Sequence, residues 1–397
     1  MTALREILKC TPSVFVYCKS KVHVVKFESV YEYLDICSPY FCFMKYIILL
    51  LSVLASMVAL RAQKQVLLLS SDGKAPVVNA LITKSEDGSF LGFSDKNGCF
   101  QTGQGTKKIT ISHPSYQSLD ITLPQDTVYL DFAPIQLQEV EVLEKGPRYY
   151  RLRSVVRVYQ YLDSIPINFV DGVVDFYVDT KREKLGYKAL RLDVYTDDDA
   201  IKHSSLQKGI VDMSNNSLVN WLYNEHISSN GELQATDTCV FDTKSGAKVG
   251  HWNKYPNGVL NISLNLVNPN EEQERTSFGR TTIIHKKVLE QSFPQGTSPK
   301  DIKPYDFQMY RLSIELGTKP KKKMELVFTT KIHEIYVLER KGVSEAEYKT
   351  IRLDNNWGSL TSSIKQEDGQ YMNLPLPQIP QNIEKKLNKQ LKLLPYK

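Results

Sequence analysis

The sequence predicts a mainly β protein in which a small β-sandwich is followed by a larger antiparallel β domain with a leading helix. From residue 66 onward, short apolar runs alternate with polar residues and are separated by turn sequences rich in Asp, Asn and Gly. This pattern is typical of strands that bury one face. The composition, 42% hydrophobic and 24% charged, is that of a globular protein and excludes a wholly disordered chain or a coiled coil.

Residues 44–62 have the layout of a secretory signal peptide. Lys45 supplies a positive start, residues 46–60 form an apolar run, and Ala62 precedes Gln63 as a cleavage position. The apolar run is shorter than the ~20 residues that a helix needs to cross the hydrocarbon of a bilayer. We therefore predict cleavage between Ala62 and Gln63.

Residues 1–43 precede this signal sequence, although a signal peptide belongs at the N-terminus. We interpret them as an upstream mis-start segment, with Met44 as the true start. The alternative is a cytoplasmic segment followed by a signal anchor at 46–60. The sequence thus predicts an exported protein of the periplasm or the periplasmic face of the outer membrane, or an anchored one if Met1 is the start.

Removal of residues 1–62 changes both the charge and the cysteine content. The formal net charge falls from +6 for the whole chain to about +3, because seven basic and four acidic residues are lost. Such a mild charge does not predict a nucleic-acid-binding protein. Cys99 and Cys239 remain, and we expect both to be free because they lie in different predicted domains. No Cys follows Ala62, so the lipid-attachment signal of exported lipoproteins is missing.

The first predicted domain spans residues 63–143 and consists of short strands. The predicted strands are 66–69, 77–83, 90–93, one that begins at Cys99, and alternating runs around Ile109, Ile121, Leu130 and Val140. Residues 95–98 are predicted to form a tight hairpin, since Asn97-Gly98 supplies the positive φ angles that such turns require.

Residues 66–142 resemble the carboxypeptidase regulatory-like domain, a seven-stranded prealbumin-like sandwich of exported proteins of Gram-negative bacteria. The residues that carry the resemblance are Gly73-Lys74-Ala75-Pro76, Asn79-Ala80-Leu81-Ile82, Ser94-Asp95-Lys96-Asn97-Gly98-Cys99-Phe100, Ile109-Thr110-Ile111-Ser112, Tyr116 and Leu137-Gln138-Glu139-Val140-Glu141-Val142. Ser115 departs from the family pattern, which has Gly before this Tyr. The resemblance implies a domain without an active site, which accompanies zinc peptidases, outer-membrane receptors or surface adhesins.

The sequence lacks the ligand pattern of such a zinc peptidase. That site needs a His-x-x-Glu pair with a further His, because tetrahedral zinc takes closely placed ligands and leaves one position open. No His has Glu three residues later, and the adjacent His333-Glu334 pair on a strand points its side chains to opposite faces. We therefore predict no peptidase domain, no metal and no other cofactor.

Residues 144–151 form a polar linker with Gly and Pro, and the second predicted domain spans 152–370. Its leading helix is predicted from apolar residues at helical spacing, namely Leu152, Val155, Val156, Tyr159 and Leu162. The predicted strands are 173–178, 189–195, 239–242, 259–266, 281–284, 305–316 and 324–338, with turns at 244–246 and 256–258 and further helices at 218–227 and 344–348. A sheet that follows one helix resembles the half-barrel of periplasmic lipid carriers, by architecture alone.

Two motifs in this domain are candidates, one for catalysis and one for cation binding. Ser205-x-x-Lys208 matches a motif of penicillin-binding enzymes, with companions at Ser214 and Lys244, but these elements lie too close together in sequence to converge from separate parts of a large fold. We interpret the match as coincidence. Asp197–199 could attract a cation, and a solvated turn after the preceding strand is the favoured interpretation.

Residues 371–397 form a Pro-containing tail and a predicted short basic amphipathic helix. Its apolar face consists of Ile383, Leu387, Leu391 and Leu394, and its basic face of Lys385, Lys386, Lys389 and Lys392. Such a helix can lie on an anionic membrane or dock on a partner. The alternative, favoured because a helix of ~12 residues is marginal alone, is that the apolar face packs on the β domain.

The sequence therefore predicts an exported, non-enzymatic cell-envelope protein that acts as a structural or interaction module, with an unidentified envelope protein or lipid as its partner. A periplasmic carrier of lipid or another apolar ligand is the second hypothesis. A hydrolase with an unrecognised site is the third. No nucleic-acid partner is predicted.

Overall fold

The structure is a computed structural model. It describes residues 17–18, 21–22, 64–103, 105–133, 146–182, 184–197, 199, 233–236, 239–242, 248–255, 257–267, 274–277, 280–299, 302–303, 305–320, 326–354, 362–364, 379–387 and 389–396. The chain divides into two compact units, Met1–Ala62 and Gln63–Lys397. In the first unit, β1 (Tyr17–Cys18) and β2 (Lys21–Val22) pair antiparallel. The predicted signal sequence and its cleavage position, Ala62 and Gln63, lie outside the described residues.

The second unit begins with seven short strands in two sheets. These strands are β3 (Lys64–Ser70), β4 (Leu81–Lys84), β5 (Phe90–Phe93), β6 (Cys99–Thr102), β7 (Lys108–His113), β8 (Tyr116–Thr122) and β9 (Thr127–Leu130). One sheet has the order β6-β3-β9 and the other β5-β4-β7-β8. Alternate side chains of both sheets, among them Val66, Leu68, Ile109 and Ile111, form a buried core. The predicted strand positions are confirmed up to residue 130, except that the strand predicted at 77–83 begins only at Leu81. β3 and β9 pair parallel.

The predicted hairpin at residues 95–98 is wrong, although the turn itself is present. β5 and β6 belong to different sheets, so the turn carries the chain from one layer of the sandwich to the other. The Asp95 carboxylate accepts hydrogen bonds from the amides of Asn97 and Cys99, both at 2.8 Å. Gly98 has φ +75°, and a Cβ there would lie 2.4 Å from the Leu68 carbonyl oxygen. The turn therefore requires Gly for conformation and for space.

A larger sheet of thirteen described strands follows. They are β10 (Tyr149–Leu162), β11 (Ile165–Asp179), β12 (Lys184–Thr196), β13 (Leu233–Thr236), β14 (Cys239–Asp242), β15 (Lys248–Lys254), β16 (Leu260–Asn265), β17 (Glu274–Ser277), β18 (Arg280–Phe293), β19 (Met309–Pro320), β20 (Val327–Val343), β21 (Ser363–Ile364) and β22 (Lys392–Leu393). The main order is β13-β14-β15-β16-β18-β19-β20-β10-β11-β12-β21, and β17 pairs with β18 and β22 with β12. The pairs between these strands are antiparallel, as predicted.

The predicted leading helix at 152–162 is wrong, because these residues form β10 in the middle of the sheet. Val156 and Val158 point to one face, and Val155 and Tyr159 to the other, and all four are buried. A strand that is buried on both faces has apolar residues at consecutive positions, so some of them also match helical spacing by chance. The end of the predicted linker, residues 149–151, belongs to the same strand.

Other predictions for this region are confirmed where they fall on described residues. The seven predicted strands match β11, β12, β14, β16, β18, β19 and β20. Asn257 and Gly258 lie in the turn between β15 and β16, and Gly258 has φ +77°. Helix α1 (Glu345–Thr350) starts after Ser344, whose hydroxyl accepts a hydrogen bond from the Glu347 amide. The predicted turn at 244–246, the helix at 218–227 and the motif from Ser205 to Lys208 lie outside the described residues.

The two faces of the large sheet differ in chemistry. On one face, which we call the apolar face, Val156, Val174, Phe176, Leu264, Leu289, Leu312 and Ile335 belong to one buried cluster. On the opposite face, which we call the polar face, Arg153 pairs with Asp175 and Arg157 with Asp171. The sandwich contacts the polar face.

The predicted amphipathic helix of the tail is wrong beyond its first turn. Helix α2 covers only Gln381–Glu384, and the chain then turns and adds β22 to the edge strand β12. Ile383 and Leu391 are buried and Leu387 is half-buried in a cluster that includes Tyr159 and Phe169 of the large sheet. The Leu394 amide donates to the Val194 carbonyl oxygen at 2.8 Å. Pairing and burial on the sheet outweigh a short helix that would be marginal alone.

The four lysines of the tail stay at the surface. Lys385, Lys389 and Lys392 are exposed and Lys386 is half-buried. Packing of the apolar side chains on the chain's own sheet is thus observed, and they do not form a free apolar face. Within the described ranges, no helix is both long and apolar enough to span a bilayer.

Candidate functional site

Five polar side chains meet where the sandwich contacts the polar face of the large sheet. We call this group the junction cluster: Asn79 and His113 from the sandwich, and Glu290, Arg311 and Glu334 from the sheet. Asn79 Nδ2 donates to Glu290 Oε2 at 2.6 Å, and His113 Nε2 lies 3.4 Å from Glu290 Oε1. The two halves of the unit are therefore joined through one buried carboxylate.

Arg311 completes the cluster from the sheet side. Its Nη1 donates to Glu290 Oε2 at 3.0 Å and to the backbone oxygen of Asn79 at 2.7 Å. Its Nε forms an ion pair with Glu334 Oε1 at 3.4 Å, and Tyr336 donates its hydroxyl to the other Glu334 oxygen. Arg311 is only 1% exposed, so a substrate in solution has no route to its guanidinium.

Local structure fixes each of these side chains. Glu290, Arg311 and Glu334 lie directly opposite one another on β18, β19 and β20. On the sandwich side, His113 ends β7. Asn79 precedes β4 with φ +58°, a left-handed conformation that Asn adopts more readily than most residues. That conformation lets one residue present both its backbone oxygen to Arg311 and its side-chain amide to Glu290.

The junction cluster keeps Glu290 ionised despite its burial. Burial opposes ionisation, but the hydrogen bond and charge of His113, the charge of Arg311 and the Asn79 hydrogen bond together lower the pKa of Glu290 to about 2. A buried carboxylate that is paired in this way is stable as an anion, whereas the loss of one partner leaves an uncompensated charge.

Beside the cluster, Lys286 of β18 lies under an aromatic ring of the sandwich. Its Nζ is 3.6 Å from the centroid of the Phe93 ring, a cation–π contact. Burial lowers the pKa of Lys286 to about 7, although the charge of Glu315 opposes this shift. Glu315, opposite Lys286 on β19, has a raised pKa because it too is buried.

Aromatic residues extend the contact on the other side of the cluster. Tyr255, which follows β15 of the large sheet, belongs to the sandwich core and its ring lies 4.6 Å from that of Phe132. A small cleft opens next to these rings, lined also by Pro114, Val259 and Met309. A second cleft lies between the sandwich and the tail and is lined mainly by polar residues such as Glu86, Lys108 and Lys385.

The arrangement is suited to holding two β structures together. Hydrogen bonds and ion pairs between members of the junction cluster occupy its buried charges. In the part of the chain that the structure describes, no group of three or more His, Cys, Asp or Glu side chains has the geometry to hold a metal ion. Cys99 and Cys239 do not form a disulfide bond, as expected from their separate predicted domains.

Of the candidate residues of the sequence analysis that the structure describes, Glu334 belongs to this cluster and the others do not. Asp197 accepts a hydrogen bond from Gln390 at 3.0 Å, and Asp198 lies outside the described residues. The pKa of His333 is lowered to about 3 by burial, so its imidazole is neutral. Sequence reasoning missed Asn79, His113, Glu290 and Arg311. The one available signal was a charged residue within a predicted strand, as at Arg311.

Gln291, which follows Glu290 on β18, lies on the apolar face. It is 1% exposed, and among the described residues neither its Oε1 nor its Nε2 has a hydrogen-bond partner. Trp252 lies on the same face, separated from Gln291 by Ile262 in the register of β15, β16 and β18, and its Nε1 likewise lacks a partner there. Buried polar groups without protein partners are rare, and each calls for an explanation such as strain, a bound water or ion, or a ligand.

No protein-family model matches this chain, and no curated protein matches it.

Proposed function

We propose that the chain is an exported, non-enzymatic cell-envelope protein in which the sandwich and the large sheet act as one interaction module. The observation that carries the proposal is the junction cluster, where the buried charges of Glu290 and Arg311 join two β structures and are not exposed to a substrate. The carboxypeptidase regulatory-like resemblance of residues 66–142 supports the same role, because such domains accompany other proteins and have no active site of their own.

Export is tested by expressing the gene from Met44 and sequencing the N-terminus of the product in the periplasmic fraction. Gln63 is the expected first residue. Retention of the product in the cytoplasm, or an N-terminus within residues 1–43 in the native host, would contradict the proposed export. The matched control is Ala62→Arg, which removes the small residue before the cleavage position and should block processing.

The non-enzymatic role is tested separately with panels of peptides, esters and glycans. We expect no turnover above that of a heat-denatured sample. Turnover that disappears on substitution of one polar residue, without loss of folding, would replace this proposal with that of a hydrolase.

A second candidate function, a carrier of lipid or another apolar ligand, is favoured by Gln291. Ligand sites are mostly apolar and contain a few polar groups that fix orientation, and the apolar face combines a large apolar cluster with this unpartnered amide. The carrier proposal includes the half-barrel shape that the sequence predicted for this domain. Native mass spectrometry of the protein purified from membranes is expected to show a bound lipid that Gln291→Leu weakens. A ligand-free spectrum would end this candidate.

A further inference from the structure

Two large apolar side chains project from one end of the large sheet. Ile165 is 46% exposed and Phe328 is 48% exposed. They belong to neighbouring segments, since the Asp163 amide donates to the Phe328 oxygen at 2.8 Å and the Phe328 amide donates to Asp163 Oδ1 at 2.9 Å. We call this end the apolar tip, defined by residues 162–167 and 326–328.

The apolar tip has a defined turn and its own small core. Asp163 and Ser164 both have positive φ angles, 44° and 73°, which make the tight turn between β10 and β11. Beneath the turn, Leu162 and Ile167 are buried and pack against Val327. Ile165 lies on the same face of the sheet as this small core, and Phe328 lies on the opposite face at the same end.

His285 lies beside Phe328 in a space that depends on Gly317. The His285 ring lies 5.5 Å from the Phe328 ring. A Cβ on Gly317, which is opposite Phe328 on β19, would lie 2.7 Å from His285 Nε2 and 3.0 Å from a Leu326 methyl group. Gly317 thus leaves room for His285 and Leu326 beside the exposed Phe328.

The sequence next to the tip is strongly basic. Lys319, at the end of β19, is exposed. Residues 321–325, which lie outside the described residues, join Pro320 to Leu326 and contain three further lysines and Glu325. Residues 317–331 carry five Lys and one Glu, a net charge of about +4, against about +3 for the whole 63–397 region. The one tip carboxylate, on Asp163, is occupied by the Phe328 amide.

We propose that the apolar tip is a membrane-docking surface for an anionic lipid bilayer. Exposed apolar side chains that are flanked by lysines suit the boundary between charged headgroups and acyl chains. Lysines near an anionic surface add attraction that salt weakens. The sequence analysis placed a possible membrane contact at the C-terminal residues, but their apolar side chains are buried. The proposal places the contact instead at the end of β10, β11, β19 and β20. This inference does not depend on the proposed absence of enzymatic activity.

The test places a fluorescent reporter at the tip of the full chain. Phe328→Trp introduces an indole at an exposed position, so folding should be retained, and circular dichroism checks this. The matched control is Tyr129→Trp on the sandwich, where Tyr129 is 50% exposed. Each variant is mixed with vesicles of phosphatidylglycerol that carry bromine on their acyl chains, which quench only an indole that enters the bilayer. The spectrum of the parent protein is subtracted because the chain contains three native Trp.

The proposal expects quenching of the indole at position 328, but not at 129, with anionic vesicles. It also expects weaker quenching with phosphatidylcholine and a fall of about fivefold or more in vesicle affinity on Lys319→Glu. Equal quenching at both positions, or none at position 328, would overturn the proposal, as would binding that is indifferent to lipid charge. If the indole at position 328 is not quenched, an acidic protein is the partner that the tip would fit instead. Ile165→Trp repeats the test if Phe328→Trp fails to fold.

Discussion

Glu290 and Gln291 are consecutive residues of β18, both are buried, and they face opposite sides of the large sheet. Glu290 lies on the polar face, where Asn79, His113 and Arg311 all contact its carboxylate. Gln291 lies on the apolar face, where its amide has no partner among the described residues. The apolar face gains its stability from burial of area, which is not directional, whereas the polar face uses a few directional contacts that fix where the sandwich sits.

The largest expected effect comes from removing the cation that the polar face depends on. Arg311→Met should lower the free energy of unfolding by about 5 kcal/mol, because Glu290 and Glu334 then lose a buried partner. Chemical denaturation measures this loss, and limited proteolysis should show earlier cleavage within the sandwich. Arg182→Met is the matched control, since the Arg182 side chain is 68% exposed. A loss as small as that of the control would show that the cluster does not hold the junction.

The apolar face is tested by truncating a side chain in the middle of its cluster. Phe176 is fully buried there, and Phe176→Ala should cost about 4 kcal/mol in the free energy of unfolding through lost burial and the cavity left behind. In contrast to Arg311→Met, this variant should show no preferential cleavage of the sandwich. Selective release of the sandwich by Phe176→Ala would break the distinction between the two faces.

The next expected effect is a pH dependence that belongs to the polar face. The pKa of Glu290 is about 2 in the folded protein against a usual value of 4.5. The stabilisation that ionised Glu290 gives to the folded protein is therefore complete above pH 4.5 and is lost as the pH falls towards 2. This loss amounts to about 3 kcal/mol. Denaturation series from pH 7 to pH 2.5 on the parent and on Glu290→Gln should converge at acid pH. Parallel curves would show that Glu290 is not the linked group.

The smallest expected effect, and the one of opposite sign, is at Gln291. Gln291→Leu replaces an amide without a partner by an apolar side chain of similar size, so the ligand-free protein should be stabilised by up to about 1 kcal/mol. Thermal denaturation of the ligand-free protein measures this. A marked destabilisation would mean that the Gln291 amide has a structural partner and would remove the support for a ligand on the apolar face.

The sandwich and the large sheet also differ in how far local sequence predicts them. The strands around Val66 and Ile109 were predicted because alternation is visible when one face of a strand meets solvent. β10 was mistaken for a helix because its neighbours cover both faces, so Val155 and Val156 are both buried. The helix predicted at 344–348 is present, and its Ser344 cap is a local feature.

The junction cluster could not be predicted in the same way. Asn79 and Glu290 are 211 residues apart in the chain, and no periodicity or turn signal relates residues that meet only after two β structures pack together. The tail shows the same limit. Its apolar spacing predicted a helix, whereas residues 392–393 pair with β12, a partner that is not visible in the local sequence.

The contact between Asn79 and Glu290 gives the most direct test of the claim that directional contacts join the sandwich to the sheet. A double-mutant cycle should use Asn79→Gly, which tolerates the positive φ, and Glu290→Gln, with the free energy of unfolding as the measurement. We expect the two single changes to be non-additive by about 1.5 to 3 kcal/mol, as for a buried hydrogen bond to a charged group. Additive effects would contradict the account.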